Sequence, residues 1–247
     1  MHKNKPDWTK LITPEMAEVV AHIRQWNEEH PATSNYLQDY MDERVFWNDG
    51  GPVPAKVIEV EIEGPYGKIP CRLHYPRISD QPMGMMLYAH GGSLYLGNND
   101  THSRIMRTLT EKSDTVVIGV DYHLAPQNRF PKWIEECGAA TKYFRAHAAE
   151  YGLDANDVSF AGDSAGAWLS MATMLWLRDE DPDISYVTSL LLYYGLYGMY
   201  DSPTQRLYGN EIDGMMREYD EKLYPASIMD EKDVKSPHCD LLYDDLT

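Results

Sequence analysis

Apolar residues recur along this chain with two periods. From Pro14 to about His30, Met16, Val19, Val20, Ile23 and Trp26 fall at helical spacing. Thr13 is a good N-cap ahead of Pro14, and Glu15 and Glu18 favour the start of a helix. A weaker helical stretch covers Ser34 to Phe46, and Asp49-Gly50-Gly51-Pro52 breaks it. The period then shortens to two. Ile58, Val60 and Ile62 alternate with Glu59, Glu61 and Glu63, a turn follows at Gly64-Pro65-Tyr66-Gly67, and Lys68 to Tyr75 returns. This pair predicts an antiparallel hairpin at a sheet edge.

Downstream, short continuous apolar runs alternate with helical patterns. Met85 to Ala89, Thr115 to Val120 and Tyr186 to Tyr194 read as strands buried on both faces. Ser103 to Lys112 reads as a helix, and Pro131 opens a long one to about Tyr151, with Ile134, Cys137, Ala140, Phe144 and Ala148 on one stripe. Asp157 to Ala161 is a further strand, followed by a helix from Ala165 to Leu177. Strand alternating with helix predicts an α/β fold with a mostly parallel sheet and right-handed crossovers. After Gly198 the pattern lapses. Asp213 to Tyr224 has weak helical character, and no further strand-helix unit is seen. The chain thus divides into helices at 1–50, a core at 51–198 and a last segment at 199–247.

Composition narrows the function classes. A net charge of -17 without a Lys/Arg run repels phosphate backbones, so nucleic acid is not an expected partner. A hydrophobic content of 43% supports a packed core. Cys71, Cys137 and Cys239 are dispersed and form no metal or redox motif, which fits a reducing compartment. No signal-peptide pattern and no membrane-length apolar run is present, so the expected location is cytoplasmic, with no membrane partner.

The candidate chemistry lies at two strand ends. Gly162-Asp163-Ser164-Ala165-Gly166 stands between a strand and a helix, the context in which a serine hydroxyl is lifted from the sheet on a sharp turn. Glycines permit that turn, and the first N–H groups of the helix face any negative charge that develops beside the serine. His90-Gly91-Gly92-Ser93 directly follows the Met85 to Ala89 strand. Its N–H groups, with that of Ala165, are candidates for an oxyanion hole in acyl transfer. A phosphate-loop reading fails, because Asn98 and Asn99 follow Gly97 where Lys and Ser/Thr are needed.

In these motifs the chain resembles the hormone-sensitive-lipase-like branch of the α/β-hydrolase family. The matching blocks are Phe46-Trp47-Asn48, Tyr88 to Asn98 with Asp100-Thr101-His102, Asp121 to Pro126, Gly162 to Gly166, Tyr194 to Gly198, Ser236-Pro237 and Asp245-Leu246-Thr247. The resemblance implies that Ser164 is a nucleophile and that Gly91, Gly92 and Ala165 supply oxyanion donors. His90, Ser93 and Asp163 support the motifs. The helices of 1–50 and the residues after Gly198 would form a cap. The implied substrate is a small ester with a short acyl chain, hydrolysed through an acyl-enzyme without cofactor or metal.

The departures from the family pattern also carry expectations. Ser93 replaces a glycine, at about 1–2 kcal/mol if its φ is positive. Gln127 replaces a glutamate. The family's triad continues with Asp and then His, yet the only histidine after Ser164 is His238, in the wrong order. His238, Asp213, Asp230, Asp240, Asp244 and Asp245 therefore read as cap or surface residues, and the fold's last strands and helix as missing. The strand Tyr186 to Tyr194 is then expected at a sheet edge. Three readings stay open: part of a carboxylesterase, an inactive binding or regulatory protein, and an enzyme completed by another chain. Oligomeric state is not legible.

Overall fold

In a computed structural model the described residues are 10–181, 183–198, 228–230, 232–233 and 236–246. The chain divides into two compact units, Met1–Phe46 and Trp47–Thr247. The first holds α1 (Pro14–Glu29), capped by Thr13, whose hydroxyl accepts the Met16 N–H at 3.2 Å. It also holds most of α2 (Tyr36–Asn48), where Phe46 packs its ring 5.1 Å from that of Trp26. The boundary falls earlier than residue 50, because Asn48 is bonded into the second unit. Its amide donates to the Thr101 carbonyl at 2.8 Å and accepts the Arg104 N–H at 2.7 Å.

The second unit is built on a six-stranded sheet: β1 (Lys56–Gly64), β2 (Gly67–Tyr75), β3 (Met83–Ala89), β4 (Val116–Val120), β5 (Leu153–Asp163) and β6 (Val187–Tyr193). Their spatial order is β1-β2-β4-β3-β5-β6. The expected hairpin lies at one edge, antiparallel to itself and to β4, and the remaining pairs are parallel. All five residues of β4 are buried, as its unbroken apolar run requires. On the faces lie α3 (Ser103–Ser113), α4 (Lys132–Ala146), α5 (Ala148–Tyr151) and α6 (Ala165–Glu180). Trp133, Phe144, Phe160, Trp168 and Leu169 fill the main core.

The single helix expected over 131–151 is two. His147 breaks it, at φ -106° and ψ 18°. Its ring stacks on Tyr143 at 4.2 Å, and both its N–H and Nδ1 lie within 3.0 Å of the Tyr143 carbonyl. Side chain and backbone thus converge on one acceptor. Gly152, at φ +66°, then ends α5 and turns the chain into β5.

The described part of 228–246 joins the main core instead of standing apart from it. Ile228, Met229, Cys239 and Leu241 are buried there, and the Trp168 indole donates to the Cys239 carbonyl at 2.8 Å. At the other edge, β6 pairs only with β5 among the described residues. Leu190 and Tyr193 are exposed and Leu191 and Leu192 half-buried, as expected for an edge strand. The weak helical expectation at Asp213 to Tyr224 lies outside the described residues. No described helix is long and apolar enough to cross a membrane.

Candidate active site

Sheet register brings the two motifs together. β3 and β5 are parallel neighbours with Ala89 opposite Gly162, so the loops that leave their C-terminal ends lie side by side. That edge is where open α/β sheets place their ligands.

Ser164 sits at the turn with φ 54° and ψ -122°, a region that non-glycine residues rarely occupy. Such strain costs about 1–3 kcal/mol and persists only where the surroundings enforce it. Here the Ser164 N–H is bonded to the Tyr193 carbonyl at 2.9 Å. Flanking glycines permit the packing. A Cβ on Gly166 would lie 2.1 Å from the Ala89 oxygen, and one on Gly162 would lie 2.4 Å from Gly166 backbone. The Ser164 side chain does not cap α6, and its Oγ makes no hydrogen bond among the described residues. The hydroxyl therefore stands free at the positive end of a 16-residue helix.

The oxyanion loop is tied to the elbow by Asp163. This residue is only 6% exposed. Its Oδ1 accepts the Tyr88 hydroxyl at 2.6 Å and the Gly91 N–H at 2.9 Å. Its Oδ2 lies 3.3 Å from the Tyr194 hydroxyl and 3.5 Å from His102 Nε2. Burial alone would raise its pKa. The bond and charge of His102 and the Tyr88 and Gly91 donors outweigh that, and hold it at about 2. Asp163 is therefore a buried, fully ionised carboxylate.

One expected role changes as a result. The Gly91 N–H is already donated to Asp163, so it is committed to holding the loop. The Gly92 and Ala165 N–H groups have no acceptor among the described residues, and they are the open donors. Gly92 adopts φ +118°, and a Cβ there would lie 2.2 Å from the Leu96 oxygen, so only glycine fits. Ser93 does have a positive φ, 54°. Ser93→Gly removes roughly 1–2 kcal/mol of strain and adds about 0.5–1 kcal/mol of unfolded-state entropy. The expected net is a stabilisation of about 0.5–1 kcal/mol, read from urea denaturation midpoints.

His90 is packed and bonded at the base of the loop. Its ring stacks on Tyr122 at 4.4 Å, and Nδ1 lies 2.8 Å from the Gly91 carbonyl, which fixes the proton on Nδ1. Burial, then the neighbouring His102, pushes its pKa down to about 4, so it is neutral. His102 is the residue whose role sequence reading missed. It stood in a motif block, but only the folded loop places it against Asp163. Its Nδ1 is 2.9 Å from the Thr101 hydroxyl, so both ring nitrogens are engaged away from Ser164.

No described histidine is bonded to Ser164. His238 is paired with Asp179 at 2.9 Å, at the opposite end of α6. A helix of that length puts it roughly 22 Å from the elbow. Two of the expected surface acids are not at the surface. Asp240 is 4% exposed, and the Asp244 side chain is 8% exposed against Arg178, because their segment packs on α6. Asp230 pairs with Arg129 at 3.2 Å, Asp245 is exposed, and Asp213 lies outside the described residues.

A sequence profile of the α/β-hydrolase fold matches residues 86–247. The chain is 43% identical over 210 residues to an acetyl esterase of Salmonella typhi, covering 85% of this chain. It spans 64% of that relative's length. Among solved structures, it is similar to a thermostable carboxylesterase cloned from a metagenomic library, with a TM-score of 0.77 at 26% identity over 87% of this chain and 74% of that one. It is also similar to an esterase of Pyrobaculum calidifontis, with a TM-score of 0.78 at 25% identity over 96% of this chain and 76% of that one.

Proposed function

Because this chain belongs to the α/β-hydrolase fold family, we propose that it carries the nucleophile and oxyanion half of a serine carboxylesterase acting on small, short-acyl esters. The observation that carries this reading is a Ser164 held at φ 54°, its hydroxyl unbonded among the described residues, at the end of a strand paired in register with the one that leads into the Gly92 loop. Ser164 Oγ attacks the ester carbonyl carbon. Charge develops on the carbonyl oxygen, and the two N–H groups and the α6 terminus stabilise it. The C–O bond to the alcohol breaks, the alcohol leaves with a proton, and water then releases the acid from the acyl-serine. No cofactor or metal enters these steps.

The proton must be moved by a base, and the described residues place none at Ser164. In this reading the base and its carboxylate partner follow Ser164 in the Asp-then-His order of the family and are not among the described residues. The solitary hydroxyl equally favours an alternative, a hydrolase-like protein that binds esters or a partner without turning them over.

Acyl length tests the substrate class. In a protein extended to include the family's C-terminal part, kcat/KM is expected to fall from p-nitrophenyl acetate to the octanoate and decanoate. A maximum at octanoate or longer overturns the short-acyl assignment.

A further inference from the structure

We propose that Asp179, His238 and Asp244 form a site for a divalent transition-metal ion such as zinc or cobalt. Such an ion would staple the 236–246 segment to the C-terminal end of α6. One oxygen from each carboxylate and one ring nitrogen of His238 lie within 4.8 Å of one another. Ligands around a four-coordinate ion with bonds of about 2.0–2.1 Å stand roughly 3.3 Å apart, so small side-chain rotations close the set.

The surroundings favour a cation. Arg178 Nη2 lies 3.1 Å from Oδ1 of both Asp179 and Asp244, and the Asp245 N–H donates to Asp244 Oδ1 at 2.7 Å. These bonds hold one oxygen of each carboxylate, as supporting hydrogen bonds do around metal ligands. The Asp244 side chain is 8% exposed, and its Oδ2 is buried with no hydrogen-bond partner among the described residues. A buried carboxylate oxygen without a donor is costly, and a bound cation removes that cost. The cluster also sits at the negative end of the α6 dipole.

Charge and ligand type set the selectivity. Two carboxylates and one guanidinium leave a single net negative charge beside the His238 ring, which implies moderate affinity. A histidine nitrogen beside two carboxylates favours zinc or cobalt over magnesium or calcium. Asp179 and His238 keep 44% and 19% of their side-chain surface, enough to admit an ion and a water ligand. The residues are 59 positions apart, so no ligand motif appears in the sequence. The site is at the far end of α6 from Ser164 and does not rest on the esterase reading.

The test titrates Co2+ and Zn2+ into the metal-stripped full chain, followed by cobalt absorption and calorimetry. Micromolar binding is expected, with no response to Mg2+ at the same concentrations. His238→Gln and Asp179→Asn are each expected to weaken it by roughly 10–100-fold. Absence of binding, or equal binding by both folded variants, overturns the proposal. Should the variants not fold, 1H–15N spectra of the unmutated chain decide. The His238 ring nitrogens must shift with Zn2+, and a static His238 signal overturns the site even if other histidines respond.

Discussion

Extending the chain past Thr247 with the C-terminal polypeptide of the Salmonella typhi acetyl esterase is expected to raise its rate on p-nitrophenyl acetate by on the order of 10³-fold or more. Ser164→Ala in the extended protein is expected to remove that gain. The magnitude follows from what the described residues hold. Oxyanion donors and binding alone leave roughly 10³–10⁴ over water in serine hydrolases that lack a working triad. Loss of the histidine alone costs on the order of 10⁶ in kcat. Ser164 already has the elbow geometry and the open Gly92 and Ala165 donors, so on the proposed reading the gain measures the addition of a correctly placed base. The open edge of β6, with Leu190 exposed and no described partner beyond β5, is the place where further strands of a parallel sheet can pair. An inactive binding protein would show no gain.

Asp163→Ala is expected to destabilise the fold by roughly 3–5 kcal/mol in urea denaturation. The substitution deletes the acceptor for the Tyr88 hydroxyl and the Gly91 N–H and strips His102 of its partner, all in a buried site. Donors left buried without acceptors cost more than the bonds contributed. The same carboxylate gives a pH signature. Its folded pKa, about 2, lies below the unfolded value of 3.8. Its contribution is therefore fully present above pH 3.8 and is lost as pH falls towards 2. That difference corresponds to about 2 kcal/mol. The unmutated protein should lose that much more stability than Asp163→Asn between pH 5 and pH 2. Parallel pH profiles for the two proteins would remove Asp163 from its role as the tie between elbow and loop.

Legibility in the sequence followed how local each feature is. The β1–β2 hairpin, the buried runs of β3 and β4 and the start of α1 each rest on short-range periodicity and turn residues, and each formed as expected. The break at His147 was hidden because it depends on a side chain competing for the Tyr143 carbonyl inside an otherwise good helical stripe. Ser164 was readable because strand, glycines and helix are contiguous. The commitment of the Gly91 N–H to Asp163 was not, since the two are 72 residues apart and meet only through the β3–β5 register. Asp240 and Asp244 read as surface acids for the same reason: their burial arises from packing on α6, which no local pattern encodes.

In the proposed reaction Ser164 forms the acyl-enzyme. The most direct test of that step is to mix the extended protein with p-nitrophenyl acetate, quench with acid at short times and map the acetyl group by peptide mass spectrometry. Acetylation is expected on the Ser164 peptide at quenching times that match the burst of p-nitrophenol, and none there in Ser164→Ala. Turnover that survives Ser164→Ala, or an acetyl group carried only by other residues, would contradict it.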